Sequence, residues 1–329
     1  MKSYLRALLY ALGILGLAHR LRNRRTLTVF MFHRVLPKDS IEYRHAEREF
    51  TMSTGNFAKC LTFLRTHYTL VSHADLRAAI TEGKPLPDCA GLVTFDDGWR
   101  DTLEYALPAL AGYKIPAVLF LSTEVPDLTQ DRWWQDQLVE ALASADHLAI
   151  LEVEMGISPL PNVQKAERIR CLTAALSEMD PEHRGTLLLR YAPALPLARQ
   201  MVTRADIAKF APLVAIAGHG HSHGPLTHLR RPQADLENSA QQLKLHNADF
   251  WAMSFPHGAH NHKIDSLACQ QGFEVCYTSE AHLVDTGKNT LGTTLLGRIH
   301  IPENQWTCEG NSISNARLAF FLFFRSIRG

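Results

Sequence analysis

From residue 26 onward the chain alternates short, continuous apolar runs with longer amphipathic stretches, and that rhythm limits the folds open to it. The runs are Thr28 to Phe32, Gly91 to Phe95, Ala117 to Leu121, Leu213 to Ala217, Trp251 to Phe255 and Val275 to Thr278. A strand without polar alternation must be covered on both faces, as in a parallel sheet flanked by helices. Helical patterns fall between the runs, at Asn56 to His67, Asp75 to Thr81, Asp101 to Ala111, Pro232 to Ala248 and Lys263 to Gln271. Strand, helix, strand in this order predicts βαβ units, closed into a barrel or laid out as a doubly wound sheet.

One interval breaks the rhythm. Residues 130 to 210 hold no strand pattern but several helical ones, at Trp133 to Ala145, Val163 to Leu176 and Pro181 to Tyr191. Their apolar stripes need a surface to pack on, so they are read as an insertion covering one side of the site rather than as an independent domain. Trp133 and Trp134 fall here; they either stack on sugar rings or seat their indoles in the core.

The polar groups that call for an explanation come directly after the strands: His33, the pair Asp96-Asp97, the run His219 to His223, and Pro256-His257. In a parallel α/β protein those positions converge on the C-terminal face of the sheet. Asp96 and Asp97, followed by Gly98, can divide cation binding and proton transfer between them, although an Asp-Asp-Gly turn capping a helix has the same pattern. His219 and His223, four apart, can reach one ion, while His221 points away; surface loop histidines are the plainer alternative. With Asp97 they make an Asp-His-His set that suits a divalent transition metal, zinc by default, and leaves positions open for water and substrate.

Composition narrows the partners. With 34 basic and 33 acidic side chains the formal charge is +1, which leaves no field to hold nucleic acid. The six cysteines (60, 89, 171, 269, 276, 308) show no CxxC spacing, which removes zinc-ribbon and thioredoxin-like readings. They read as small buried hydrophobes in a reducing compartment, though an even count also permits disulfides.

Residues 1 to 25 form an apolar and basic segment: the uncharged run Ala7 to Ala18 precedes Arg20, Arg22, Arg24 and Arg25. Twelve residues are too few to span a bilayer, and the basic cluster stands where a signal peptide would be cleaved. An interfacial helix on anionic lipid fits the pattern, as does a helix packed on the domain. Residues 302 to 329 form a tail whose end, Leu318 to Phe324 followed by Arg325 and Arg328, repeats the pattern.

Taken together, Thr94-Phe95-Asp96-Asp97-Gly98, a His-x-x-x-His pair some 120 residues later, and Phe255-Pro256-His257-Gly258 resemble the polysaccharide deacetylases of the NodB-homology group, carbohydrate esterase family 4. Phe32-His33-Arg34-Val35 is similar to the aromatic-His-x-Val opening of one branch, which includes exopolysaccharide deacetylases with a rearranged motif order. The resemblance spans residues 26 to 301. It implies a distorted (β/α) barrel of the seven-stranded type, here with the helical insertion at about 130–210. It also implies Asp96 as general base, Asp97, His219 and His223 as metal ligands, the backbone amide of His257 as an oxyanion donor, and His33 as general acid. In three respects the chain departs from the pattern: Gly220 replaces a Ser or Thr, His257 replaces an aromatic residue, and the Arg-containing third motif is missing. Leu296-Gly297-Arg298-Ile299-His300 is the nearest match to the Leu-x-His motif of the commoner branch, which makes His300 a second candidate acid. His228, His246, His260 and His262 read as surface residues or as neighbours of the site.

The expected function is metal-dependent removal of an N-acetyl group from a polysaccharide or lipid-linked saccharide in exopolysaccharide or envelope glycan synthesis. The expected location is cytoplasmic, peripheral on the inner membrane face. Rival readings are a catalytically silent carbohydrate-binding barrel and a metal amidohydrolase or deformylase acting on another small amide.

Overall fold

Seven strands run parallel and lie side by side in the order in which the chain makes them, in a computed structural model that describes residues 3–157, 164–192, 198–246, 248, 251–287, 295–307 and 312–328. They are β1 (Thr26–Phe32), β2 (Ala90–Asp97), β3 (Ala117–Leu121), β4 (Val214–Gly218), β5 (Ala252–Ser254), β6 (Val275–Tyr277) and β7 (Leu295–Leu296). Every residue of β1, β2 and β3 is buried, as the unbroken apolar runs require.

Closure depends on one short stretch. Leu295 and Leu296 pair with Cys276 and Tyr277 of β6, and two residues later Ile299 and His300 pair with Phe30 and Met31 of β1. The segment thus bridges the last strand and the first. Gly297 at the crossing is required by space, because a Cβ there would lie 2.5 Å from the Glu280 carbonyl oxygen. The other half of β1 is taken by an antiparallel strand, Leu283–Asp285, which pairs in turn with Ile327–Arg328. The barrel therefore closes at its C-terminal mouth and is open-edged below, which makes it distorted.

The helices used below are α1 (Ser3–Ala11), α2 (Ile14–Arg22), α3 (Thr54–His67), α4 (Trp134–Ala141), α5 (Lys165–Ser177) and α6 (Asn315–Phe323). α3 fills the space beside β1 and β2 with Phe57, Leu61 and Leu64, all buried against Phe32 and Phe95. Between residues 130 and 210 the described residues are mostly helical, with α4, α5, Ala145–Glu154 and Pro181–Leu189.

Two expectations are corrected and one element is added. The single apolar helix read near the N-terminus is two helices, because Gly13 adopts the left-handed conformation (φ 73°) between them. β2 does not stop at Phe95: Asp96 and Asp97 are its last two residues, paired with Phe120 and Leu121. Arg34–Leu36 and Thr51–Ser53 pair as a small separate sheet, too short to leave a period in the sequence. No disulfide joins the described cysteines; Cys60, Cys89 and Cys276 are buried, Cys171 is half-buried and Cys269 is exposed. Cys308 lies outside the described residues.

Candidate active site

All four segments that follow strands meet at one mouth. A cleft of about 670 Å³ is lined by His33, Asp96, Asp97, His219, His223 and His257, with Trp133 and residues of α4 and α5 on its far wall. At its floor the Nε2 atoms of His219 and His223 lie 3.4 and 3.0 Å from Asp97 Oδ1. Two donor atoms each ~2.1 Å from one tetrahedral ion stand about 3.4 Å apart, so the spacing is that of ligands to a shared metal. Asp97 Oδ1 is buried and accepts no hydrogen bond, whereas Oδ2 accepts one from Trp99 Nε1 at 2.8 Å. His219 Nδ1 donates to the Ser254 carbonyl at 2.9 Å, which leaves the Nε2 lone pair facing Asp97. These residues fit a divalent ion.

The backbone is bent to make this set. Asp97 (φ 80°), His223 (φ 59°) and His257 (φ 56°) all occupy the left-handed region, which side chains other than glycine avoid. Strain of that kind persists only where the surroundings enforce it. In the 219–223 loop Asp235 enforces it, accepting from the His221 and Ser222 amides and from Ser222 Oγ at 2.8, 2.9 and 2.6 Å. His221 turns out of the site to Thr123 Oγ1, as its place between His219 and His223 predicts.

Beside the ligand set, Asp96 is gripped by Arg298 in a bidentate pair, Nη1 to Oδ1 at 2.6 Å and Nη2 to Oδ2 at 2.8 Å, with both side chains buried. Burial alone would raise the Asp96 pKa, but Arg298, His219 and His33 together hold it below the ordinary value. Burial acts on Asp97 in the same sense, and the adjoining His223, His219 and His33 overcome it by a wider margin. Both carboxylates are therefore ionised at neutral pH.

His33 Nε2 stands 3.9 Å from Asp96 Oδ2, and the His300 ring stands behind it, 5.7 Å away between centroids. Burial lowers the His33 pKa, and Asp97 and Asp96 restore part of that loss. Burial and His33 push His300 down to about 3. The next residue after His33 points inward: Arg34 pairs with Asp101 at 2.9 Å and lies over the Trp99 ring, tying the end of β1 to the loop after Asp97. His257 packs its ring against His223, 4.6 Å between centroids, and burial beside that ring brings its pKa to about 3. Trp133 is buried yet borders the cleft, tilted against His223 at 4.8 Å; Trp134 is buried under Arg184. Of the remaining histidines, His260 stacks on Phe255 at 4.9 Å and His228 pairs with Glu167 at 2.9 Å.

No protein-family model matches the sequence, and no curated protein matches it. Solved structures do. The deacetylase PplD of Streptococcus pyogenes, in complex with acetate, superposes with a TM-score of 0.58 over 90% of this chain and 98% of its own at 14% identity. IcaB from Ammonifex degensii gives 0.57 over 91% and 97% at 18% identity. The BpsB deacetylase domain from Bordetella bronchiseptica gives 0.54 over 84% and 96% at 17% identity. The chain shares the fold of these deacetylase structures. One departure noted in the sequence acquires a reason from its backbone. Gly220 sits at φ 68°, with Asp235 Oδ1 3.0 Å from where a Cβ would be, so a larger residue would disturb the 219–223 loop. Arg298 reaches Asp96 from the barrel seam. Sequence reading passed over Arg298, Ser254 and Asp235. Only Arg298 left a signal, as a lone cation in an apolar stretch that must find a buried carboxylate.

Proposed function

We propose that this protein is a divalent-metal-dependent deacetylase that hydrolyses the N-acetyl group of a saccharide, either polymeric or lipid-linked. The observation that carries the reading is the pairing of two environments in one cleft: a three-residue ligand set with an orphaned carboxylate oxygen, and next to it a second carboxylate held ionised by Arg298. Asp97, His219 and His223 hold the metal, with zinc as the default for one carboxylate and two imidazoles. When bound, the metal supplies Lewis-acid polarisation of the acyl carbonyl and acidifies a water.

The chain's own groups do the rest. Asp96, which lines the cleft, accepts the proton of the attacking water on a lone pair not used by the Arg298 pair, which fixes the plane of the carboxylate. The His257 amide, presented at the left-handed turn after Pro256, donates to the oxyanion. An amide nitrogen leaves poorly as an anion, so it must be protonated, and His33 is the donor. His33 is favoured over His300 because it stands within 3.9 Å of Asp96 and two carboxylates offset part of the lowering that burial imposes on it, while His300 is held at about 3. Acetate, which the Streptococcus protein binds, would be the product. The reading places this chemistry in glycan synthesis at the cytoplasmic membrane face.

Acetate release from acetylated chito-oligosaccharides and from lipid-linked acetylated sugars, measured with added zinc, tests the reading. Asp96→Asn and His219→Ala should each lower turnover by ~10²-fold or more. Turnover equal to wild type in both would overturn it, and a His33→Ala protein with full turnover would move the acid role to His300.

A further inference from the structure

Of the sixteen exposed large apolar side chains among the described residues, ten lie at the two chain ends, while Tyr105, Val139, Ile150, Val153, Leu189 and Leu245 lie elsewhere. α1 turns Tyr4, Leu5 and Leu8 outward, and Leu12 in the following turn is exposed too; α2 does the same with Ile14, Leu17 and Leu21; Phe320, Phe324 and Ile327 follow on and after α6. Each set repeats at helical spacing, and exposures reach 86% at Tyr4 and 73% at Leu21. The same helices have inner faces that account for their packing: Leu15 and His19 on α2, and Leu318, Leu322 and Phe323 on α6, are buried. The outward rows therefore belong to no internal contact that would explain them.

The three helices form one layer. Arg6 of α1 lies over the Phe320 ring, His19 of α2 stacks on Phe323 at 4.1 Å, and Arg22 and Asn23 donate to the Phe323 carbonyl at 3.1 and 2.8 Å. Around the apolar rows the charge has one sign. Residues 1–25 and 312–329 contain nine Lys and Arg and no Asp or Glu, in a chain whose net charge is +1. Arg24 and Arg328 are engaged by Asp88 and Glu280 from outside the layer, while Arg20 and Arg25 stand exposed.

We propose that this layer is a docking surface for an anionic lipid bilayer, with the apolar rows entering the headgroup boundary and the arginines on lipid phosphates. Charge decides the occupant. A two-fold dimer through this face would set arginines against arginines with no carboxylate of the layer to answer them, whereas an anionic bilayer answers each one. No helix among the described residues is long and apolar enough to cross a membrane, so the layer lies on the surface.

The test is co-sedimentation of the full chain with vesicles of phosphatidylcholine, with and without phosphatidylglycerol. Binding is expected to the mixed vesicles and to fall at least about tenfold for pure phosphatidylcholine, for Leu8→Glu with Leu17→Glu, and for Arg20→Glu with Arg25→Glu. These positions are exposed, so the variants should keep wild-type unfolding curves; a variant that unfolds is replaced by Leu12→Gln with Leu21→Gln, expected to weaken binding in the same direction. Three results overturn the proposal: wild-type protein left in the supernatant, variants that bind as wild type does, or a wild-type dimer in solution that the leucine variants dissociate. Acetate release from a soluble oligosaccharide without vesicles reports separately on the deacetylase reading and should be the same in all these variants.

Discussion

Arg298 decides how Asp96 behaves, and it does so through two hydrogen bonds between buried side chains. Removing one partner of a buried pair leaves the other charge uncompensated, at a cost of about 3–5 kcal/mol. In Arg298→Gln the carboxylate escapes that cost by taking up a proton, so the Asp96 pKa rises. Since only the ionised form accepts a proton from water, the acid limb of the pH dependence of kcat/KM should move to higher pH, and activity at neutral pH should fall by ~10²-fold. A merely structural loss would lower the whole profile without moving the limb, and that result would remove Arg298 from the proton-transfer machinery. The left-handed Asp97, His223 and His257 belong to this scale too. Their residue types were readable in the sequence, but their backbone conformation was not, because nothing local distinguishes an aspartate forced to φ 80° from one in an ordinary strand.

Among the elements, the terminal helix layer is held to the barrel partly by neutral histidines. His19 donates from Nε2 to the His67 carbonyl at 3.0 Å, accepts from Asn23 at Nδ1, and stacks on Phe323. A proton on Nδ1 would face the Asn23 amide hydrogens, and burial already brings His19 down to about 4. His67 is also at about 4, for the same first cause. The folded state binds these protons less readily than the unfolded chain, whose histidines titrate near 6.5. Stability from this source is therefore complete above pH 6.5 and is lost as pH falls from 6.5 toward 4, with His19 accounting for ~3 kcal/mol. Hydrogen exchange of residues 3–22 should accelerate between pH 7 and 4.5 relative to the central strands, and His19→Phe should flatten that response. Equal acceleration in the variant would assign the effect to other groups. The sequence showed these helices as an apolar and basic segment. Their packing on α6 depends on residues about 300 positions away, which no local period can report.

At the scale of the molecule, the central strands were legible because parallel strands buried on both faces read as uninterrupted apolar runs. The closing stretch Leu295–His300 was not, since it pairs two residues with each neighbour and so offers no length for a pattern. This seam matters because it carries Arg298 to Asp96. The ligand set makes another cross-strand link: Asp97 ends β2, His219 and His223 follow β4, and β3 lies between. An ion held by all three would fasten β2 to β4 only in the native state, so binding must add to stability by mass action, about 2.7 kcal/mol at a free metal concentration one hundred times Kd. Protons compete for the same lone pairs, and although burial opposes it, Asp96 and Asp97 raise the His219 pKa. The stabilisation should therefore shrink as pH falls, because His219 must lose its proton to bind. Denaturant unfolding at neutral pH with zinc and then with a chelator should show the difference, and lowering the pH should narrow it. Asp97→Ala should abolish the zinc effect while Asp96→Asn retains it, since Asp96 is held by Arg298 rather than by the ion. Unfolding curves that zinc leaves unchanged in wild-type protein would show that the three side chains hold no metal.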